Sequence, residues 1–133
     1  MNTSLSPLRR AAWLQALAFA LMAPGLVLFS GPAWANPSGG VVTHGVAEIG
    51  EGLHGHLQVI QGSNRAVINW ESFNIAPGEL TEFVQPGANA IMLSKVMSGG
   101  PSQLYGSLRA NGGHILVNPN GIVVGPGGRV DVG

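Results

Sequence analysis

Short apolar runs recur along the chain from Val41 onward, each closed by glycine, proline or asparagine. Val41-Val42-Thr43, Leu57-Gln58-Val59-Ile60-Gln61, Ala66-Val67-Ile68-Asn69-Trp70, Leu80-Thr81-Glu82-Phe83-Val84 and Ala90-Ile91-Met92-Leu93-Ser94-Lys95-Val96 each read as a strand. Gly62-Ser63-Asn64, Pro77-Gly78 and Pro86-Gly87 separate them with residues suited to turn dihedrals. Ser102-Gln103-Leu104-Tyr105-Gly106-Ser107-Leu108 is short and fits neither strand nor helix cleanly. The sharpest signal comes late. His114-Ile115-Leu116-Val117 stops on Asn118-Pro119-Asn120-Gly121, and Ile122-Val123-Val124 starts at once. Proline fixes φ and lacks a ladder N–H, while Asn and Gly tolerate left-handed backbone. The segment predicts strand, corner, strand.

No helix-length window after Asn36 is free of Gly and Pro with apolar positions at helical spacing. The longest Gly/Pro-free stretch, Ser63 to Ala76, is rich in β-branched and aromatic residues. The expected class is therefore all-β, as a sandwich, a barrel or a solenoid. Asn recurs at the breaks (Asn64, Asn74, Asn89, Asn111, Asn118, Asn120), where stacked side chains could bond from coil to coil. Ile115-Leu116-Val117 and Ile122-Val123-Val124 are apolar on both faces, which predicts burial on both. Both observations favour a solenoid, although no repeat of fixed period stands out.

The first 35 residues differ. Arg9 and Arg10 precede an uncharged run from Ala11 to Ser30, and Ala33-Trp34-Ala35 sets small residues at the −3 and −1 positions of a cleavage site. This layout predicts a helical signal peptide over 1–35, cleaved after Ala35, with Ala33 and Ala35 as the cleavage residues. An uncleaved membrane anchor is the alternative. Residues 36–133 then form one domain or part of one.

Composition removes several functions. There is no Cys, so no disulfide, thiolate metal site, thiol nucleophile or lipid-anchoring Cys. After residue 35 the bases are Arg65, Lys95, Arg109 and Arg129, fewer than the acids, so no basic footprint suits nucleic acid. His54-x-His56 near Glu51 could form a metal pair on one strand face, but a polar strand or loop is the better reading, and no metal or cofactor is expected. His44 and His114 are read as structural. Glu71, Glu79 and Glu82 have no evident reason to converge as a hydrolase pair. Ser63, Ser72, Ser94 and Ser107 lack a nucleophile-elbow frame. Gly125-Pro126-Gly127-Gly128-Arg129 lacks the Lys and following helix of a phosphate loop. No catalytic residue is assigned. Trp70, Phe73, Phe83 and Tyr105 are read as core or cap aromatics. Two rivals are a carbohydrate-binding or adhesive β-helix module, which would need an exposed aromatic platform, and a polysaccharide-acting β-helix enzyme. The latter would need clustered Asp or bases, whereas Asp131 is the only Asp.

One ordered series of phrases narrows the reading further. It runs from Ala66-Val67-Ile68-Asn69-Trp70-Glu71-Ser72-Phe73-Asn74-Ile75 and Pro77-Gly78-Glu79 through Phe83-Val84-Gln85-Pro86 to Pro101-Ser102-Gln103-Leu104-Tyr105-Gly106-Ser107-Leu108. Gly113 to Ile122 and Gly128-Arg129-Val130-Asp131-Val132-Gly133 complete it. In this order, residues 40–133 resemble the N-terminal secretion domain of filamentous-haemagglutinin-like exoproteins, the two-partner secretion (TPS) family. The resemblance implies a right-handed parallel β-helix with an N-terminal β cap. It implies export by the Sec translocon, removal of the leader by signal peptidase, and recognition by periplasmic domains of a dedicated outer-membrane β-barrel transporter. The destination is the cell surface or medium of a Gram-negative cell. Contact with a host surface, as an adhesin, haemolysin or toxin, would come through a passenger beyond Gly133, and the domain is expected to be truncated at its C-terminal end. Asn118, Pro119, Asn120, Gly121 and Ile122 are the candidate transporter-recognition and turn motif; Asn69, Trp70, Ser72, Phe73 and Asn74 form a second motif.

Overall fold

The computed structural model describes residues 35–133. The expected signal peptide, with Ala33 of its cleavage site, lies outside the described residues; Ala35 lies within them.

The described residues form eleven short strands, with one turn of 3-10 helix at Leu53–Gly55. They are β1 (Val41–His44), β2 (Ala47–Ile49), β3 (His56–Gln61), β4 (Arg65–Trp70), β5 (Leu80–Val84), β6 (Ile91–Val96), β7 (Ser102–Leu104), β8 (Ser107–Ala110), β9 (Gly113–Val117), β10 (Ile122–Val124) and β11 (Arg129–Asp131). From β3 onward every pairing is parallel, and each strand pairs with one on the next coil rather than with its chain neighbour. β3, β5, β8 and β11 make one sheet, and β4, β6 and β9 a second. A narrow third sheet joins Ile75, β7 and β10. This is a right-handed parallel β-helix of about three turns.

Inward positions stack from coil to coil. Val59 lies in register with Phe83 and Phe83 with Ala110; Ile68 aligns with Ser94 and Ser94 with Leu116. The core gathers Leu57, Val59, Ile68, Trp70, Phe73, Ile75, Phe83, Met92 and Leu104 inside the coils. Each such apolar side chain contributes roughly 1.5–3 kcal/mol by leaving water.

The N-terminal segment reverses direction. β1 runs antiparallel to β4 and β2 antiparallel to β3, so together they cover the open edge of the first coil. Gly40 crosses this cap so close to Trp70 that a Cβ there would lie 2.7 Å from the indole Cζ3. The other end has no such cover. β9, β10 and β11 are the last strands of their sheets among the described residues.

Two expectations change. Strands β3 and β4 alternate strictly between outward and buried positions, and β5 and β6 nearly so. A solenoid has a wet outer face as a sandwich does, so two-faced apolarity was not its mark. Ile115 and Val124, expected to be buried, are 50% and 54% exposed: Ile115 stands on the outer face beside Leu93, and Val124 lies over buried Leu104 on the last coil described. The missing period has a plain cause. Leu57 stacks below Thr81, Thr81 below Leu108 and Leu108 below Val130, and these intervals all differ because the connecting loops differ in length.

Candidate functional site: the corner and the aromatic motif

The Asn118–Gly121 corner is a hydrogen-bonded turn. Gly121 N–H donates to the Asn118 carbonyl over 3.0 Å. Asn120 N–H donates to Asn118 Oδ1 at 2.9 Å, so the Asn118 side chain closes a second, local ring. Pro119 occupies the position where its fixed φ suits a type I or II turn. Among the described residues only His54 has positive φ without being glycine, so Asn120 is not left-handed and the turn is type I. Asn and Gly both tolerate left-handed backbone; within this corner only Gly121 has positive φ, at 107.

The corner is also tied to the coil below. Asn118 Nδ2 donates to the Gly100 carbonyl (3.1 Å) and to the buried Ser102 Oγ (2.9 Å). Asn120 Nδ2 donates to the Gly99 carbonyl at 2.8 Å. Ser102 N–H donates to the Gly121 carbonyl, and Ile122 then pairs with Ser102 to open β10. Asn74 and Asn111 act alike. Asn74 Oδ1 accepts from Gln103 N–H, and Asn111 bonds both the N–H and the carbonyl of Gln85. The Asn residues therefore bond to neighbouring backbone rather than to each other.

The second motif lies in and beside the core. Trp70 and Phe73 are each 1% exposed and meet edge to face at 5.7 Å. Phe73 stacks on Phe83 at 6.5 Å, and both rings touch the His114 imidazole. Ser72 holds the N-terminal segment. Its Oγ shares a hydrogen bond with Ser38 Oγ (2.8 Å), and its carbonyl accepts from Ser38 N–H. Asn69 Oδ1 and Trp70 Nε1 are buried with no hydrogen-bond partner among the described residues. The two motifs do not meet in a shared cleft; they connect only through the coil between them.

His114 points inward above Met92, with Nε2 3.0 Å from Ser94 Oγ. Burial pushes its pKa down to about 4. The folded state thus binds its proton more weakly than the unfolded chain, whose His titrates near 6.5. Stability is full above pH 6.5, falls as pH drops from 6.5 toward 4, and levels off below. The ceiling is about 3 kcal/mol, lowered by the part of the ring left uncovered at the last coil. Urea midpoints at pH 7.5 and 4.5 test this: the difference should shrink in His114→Phe, and an equal difference in both proteins would refute it.

The remaining candidates separate. His54 sits in the 3-10 turn at φ 54 while His56 opens β3, so the pair does not share a strand face. His56 Nε2 instead contacts Glu82 Oε1 at 3.3 Å, and Arg109 approaches Glu82 Oε2 at 4.0 Å. No group of three His, Asp or Glu able to hold a metal occurs among the described residues. Glu71 is exposed and Glu79 is buried, apart from Glu82 on the outer face of β5. Trp70, Phe73 and Phe83 are interior, which removes them from any carbohydrate-stacking surface.

Sequence reading missed the buried glutamines. Gln85 Nε2 donates to Gln61 Oε1 and to the Gly113 carbonyl, and its Oε1 accepts from Gly112 N–H. Gln61 Nε2 in turn donates to the Ser63 and Ile91 carbonyls. Gln61 ends β3 and Gln85 directly follows β5, each just before a turn, and that recurrence was the available signal.

The fold and its corners define a capped β-solenoid whose polar motifs serve to join one coil to the next. The TPS secretion domain family matches residues 33–133, and the chain belongs to that family. It is similar to the crystal structure of the HMW1 secretion domain from Haemophilus influenzae, at 36% identity and TM-score 0.63, over 68% of this chain and 24% of that one. It is 33% identical over 111 residues to a heme/hemopexin-binding protein of Haemophilus influenzae, covering 80% of this chain and 12% of that protein. A second such protein, from strain Rd of the same species, is 32% identical over the same length. The chain thus spans about an eighth of the curated relatives it matches. The family is one of secretion domains rather than enzymes.

Proposed function

We propose that residues 36–133 are the secretion-targeting module of a larger two-partner exoprotein. Residues 1–35 direct the chain through the Sec translocon, and signal peptidase cuts after Ala35. Periplasmic domains of an outer-membrane β-barrel transporter then capture the extended chain by strand addition. Slow, non-local coil pairing keeps it export-competent. At the cell surface or in the medium the capped first coil nucleates the β-helix, and later coils stack on it. A passenger farther along the exoprotein, of adhesin or haemagglutinin type, carries the activity. The family match over residues 33–133 is the observation that carries this reading. The antiparallel cap supports it, since a covered first coil suits a fold that nucleates there. A free-standing carbohydrate-binding module is disfavoured by the burial of Trp70, Phe73 and Phe83.

The Asn118→Ala/Asn120→Ala double variant tests the role of the corner. It deletes the side-chain bonds to Gly99, Gly100 and Ser102 and should cost about 1–3 kcal/mol per residue. Co-expressed with the cognate transporter, the variant should reach the medium several-fold less than the parent. Undiminished export would remove the corner from the secretion mechanism.

A further inference from the structure

Glu79 is the one carboxylate in the core, at 1% exposure. It ends the Ala76-Pro77-Gly78-Glu79 turn that leads into β5. Its Oε1 accepts from Ala76 N–H at 2.8 Å, and its N–H donates back to the Ala76 carbonyl at 3.0 Å. Those two bonds close the turn, and a neutral glutamine could make them as well. The second carboxylate oxygen has a different partner. Oε2 accepts from the backbone N–H of Ala35 at 2.8 Å, reaching back across the sequence to the very start of the described chain.

A buried carboxylate held only by backbone amides is costly unless a cation answers it. Among the described residues no Lys, Arg or His forms an ion pair with Glu79; the pairs present belong to Glu82. Ala35 is the residue that precedes the proposed cleavage point. Hydrolysis of the Ala35–Asn36 bond adds water across it. The new carboxyl leaves on Ala35 with the leader, and the freed amine of Asn36 takes up a proton. The Ala35 N–H is thereby lost to Glu79, and an ammonium appears one residue along the chain.

That new terminus is already anchored beside Glu79. Asn36 Oδ1 accepts from the fully buried Thr81 Oγ1 at 2.9 Å. Pro37 is buried, and Ser38 is clipped to Ser72. Adjacent Cα atoms are about 3.8 Å apart, so the α-nitrogen of Asn36 needs only a local rotation to take the place of Ala35 N–H. Asn36 Nδ2 is buried with no hydrogen-bond partner among the described residues, which leaves it a group that a rearrangement after cleavage could satisfy.

From these contacts we infer that Glu79 is the receptor for the α-ammonium of the mature N-terminus, so that leader removal locks the N-terminal cap onto the first coil. A neutral amide contact becomes a charge-assisted one, which is shorter and stronger. Cap docking, and with it the start of coil stacking, is thereby coupled to proteolytic processing. The inference rests on the proposed cleavage after Ala35.

The test uses the mature protein purified after export from the full-length precursor. Intact mass and N-terminal sequencing give the first residue, expected to be Asn36. Reductive methylation of the α-amine with 13C-formaldehyde and NMR titration then report its pKa. The expected value is about one unit above the ordinary α-amino range, so that methylation at a given pH is about tenfold slower than in the unfolded chain. Glu79→Gln should restore the ordinary value. If that variant fails to fold, Nα-acetylation of the unsubstituted protein serves instead and should lower its urea midpoint. A first residue other than Asn36 overturns the cleavage reading and this inference with it. A chain that begins at Asn36, with an ordinary amine pKa and no effect of acetylation, overturns the inference alone and leaves the secretion function standing.

Discussion

Phe73→Ala is expected to unfold this domain near physiological temperature. Phe73 is 1% exposed and touches Trp70, Phe83 and His114, which come from three different strands. Truncating a buried Phe costs about 3–5 kcal/mol, because the cavity closes only in part. The lost ring–ring contacts, roughly 0.5–1.5 kcal/mol each, are part of that cost and place this site toward its upper end. A domain of this size holds about 5–15 kcal/mol in all, so most of its stability would go. Thermal melts followed by near-ultraviolet circular dichroism are the measurement, with the Trp70 environment as the reporter. A fall in Tm of more than about 15 °C is expected. Phe73→Leu keeps much of the filled volume and should fall by less. Equal and small shifts in both variants would show that the aromatic cluster does not hold the coils together.

Gly106→Ala should be almost as damaging, for a different reason. Gly106 turns the chain between β7 and β8, and its N–H donates to the Ile75 carbonyl. A Cβ there would lie 2.4 Å from the Ala76 carbonyl oxygen and 2.6 Å from that of Glu79. Both are backbone atoms of the coil below, which itself is bonded in place, so neither can swing away as a flexible side chain would. Overpacking a tight site costs about 1–3 kcal/mol, and rigid backbone neighbours put this one at the upper end. Gly87→Ala is the matching control. Nothing lies within 4 Å of its added Cβ and its φ is not positive, so stability should hold or rise by about 0.4–1 kcal/mol, with the midpoint unchanged or higher. Similar urea midpoints for the two variants would contradict this account of Gly106.

These two positions also show what could be read from the chain alone. Strand locations were legible because Gly and Pro punctuate them: Leu80–Val84 and Ile122–Val124 match the observed strands to the residue. The Asn-Pro-Asn-Gly corner was legible because turn dihedrals are a local property of those residue types. Ser102 to Leu108 resisted assignment because Gly106 splits it into two strands that belong to different coils. β2 was missed as a three-residue strand with Glu48 in its centre, and β11 because Gly128 and Gly133 crowd it. The N-terminal β cap was expected from the family resemblance alone; its antiparallel direction is not legible in the residues, since strand direction depends on partners distant in sequence. Gln61, Gln85 and Glu79 gave no sign of burial for the same reason. Ser63 and Ala76 bond them locally, but Gly112, Gly113, Ile91 and Ala35 complete the set, and nothing near them in the chain announces those partners. Even the argument from strands apolar on both faces reached the solenoid by a wrong route, because the observed coils alternate as any half-wet sheet does.

The reversed strands at the start have a further effect on how copies of this molecule can meet. A fibre needs two different, mutually fitting surfaces, so that each added subunit presents the surface the next one requires. Here one terminus carries only the short, bulged ribbon of β1 and the three-residue β2, which offer a poor template. That terminus therefore cannot serve as one of the two surfaces, and the capped coil resists end-on stacking by geometry rather than by charge.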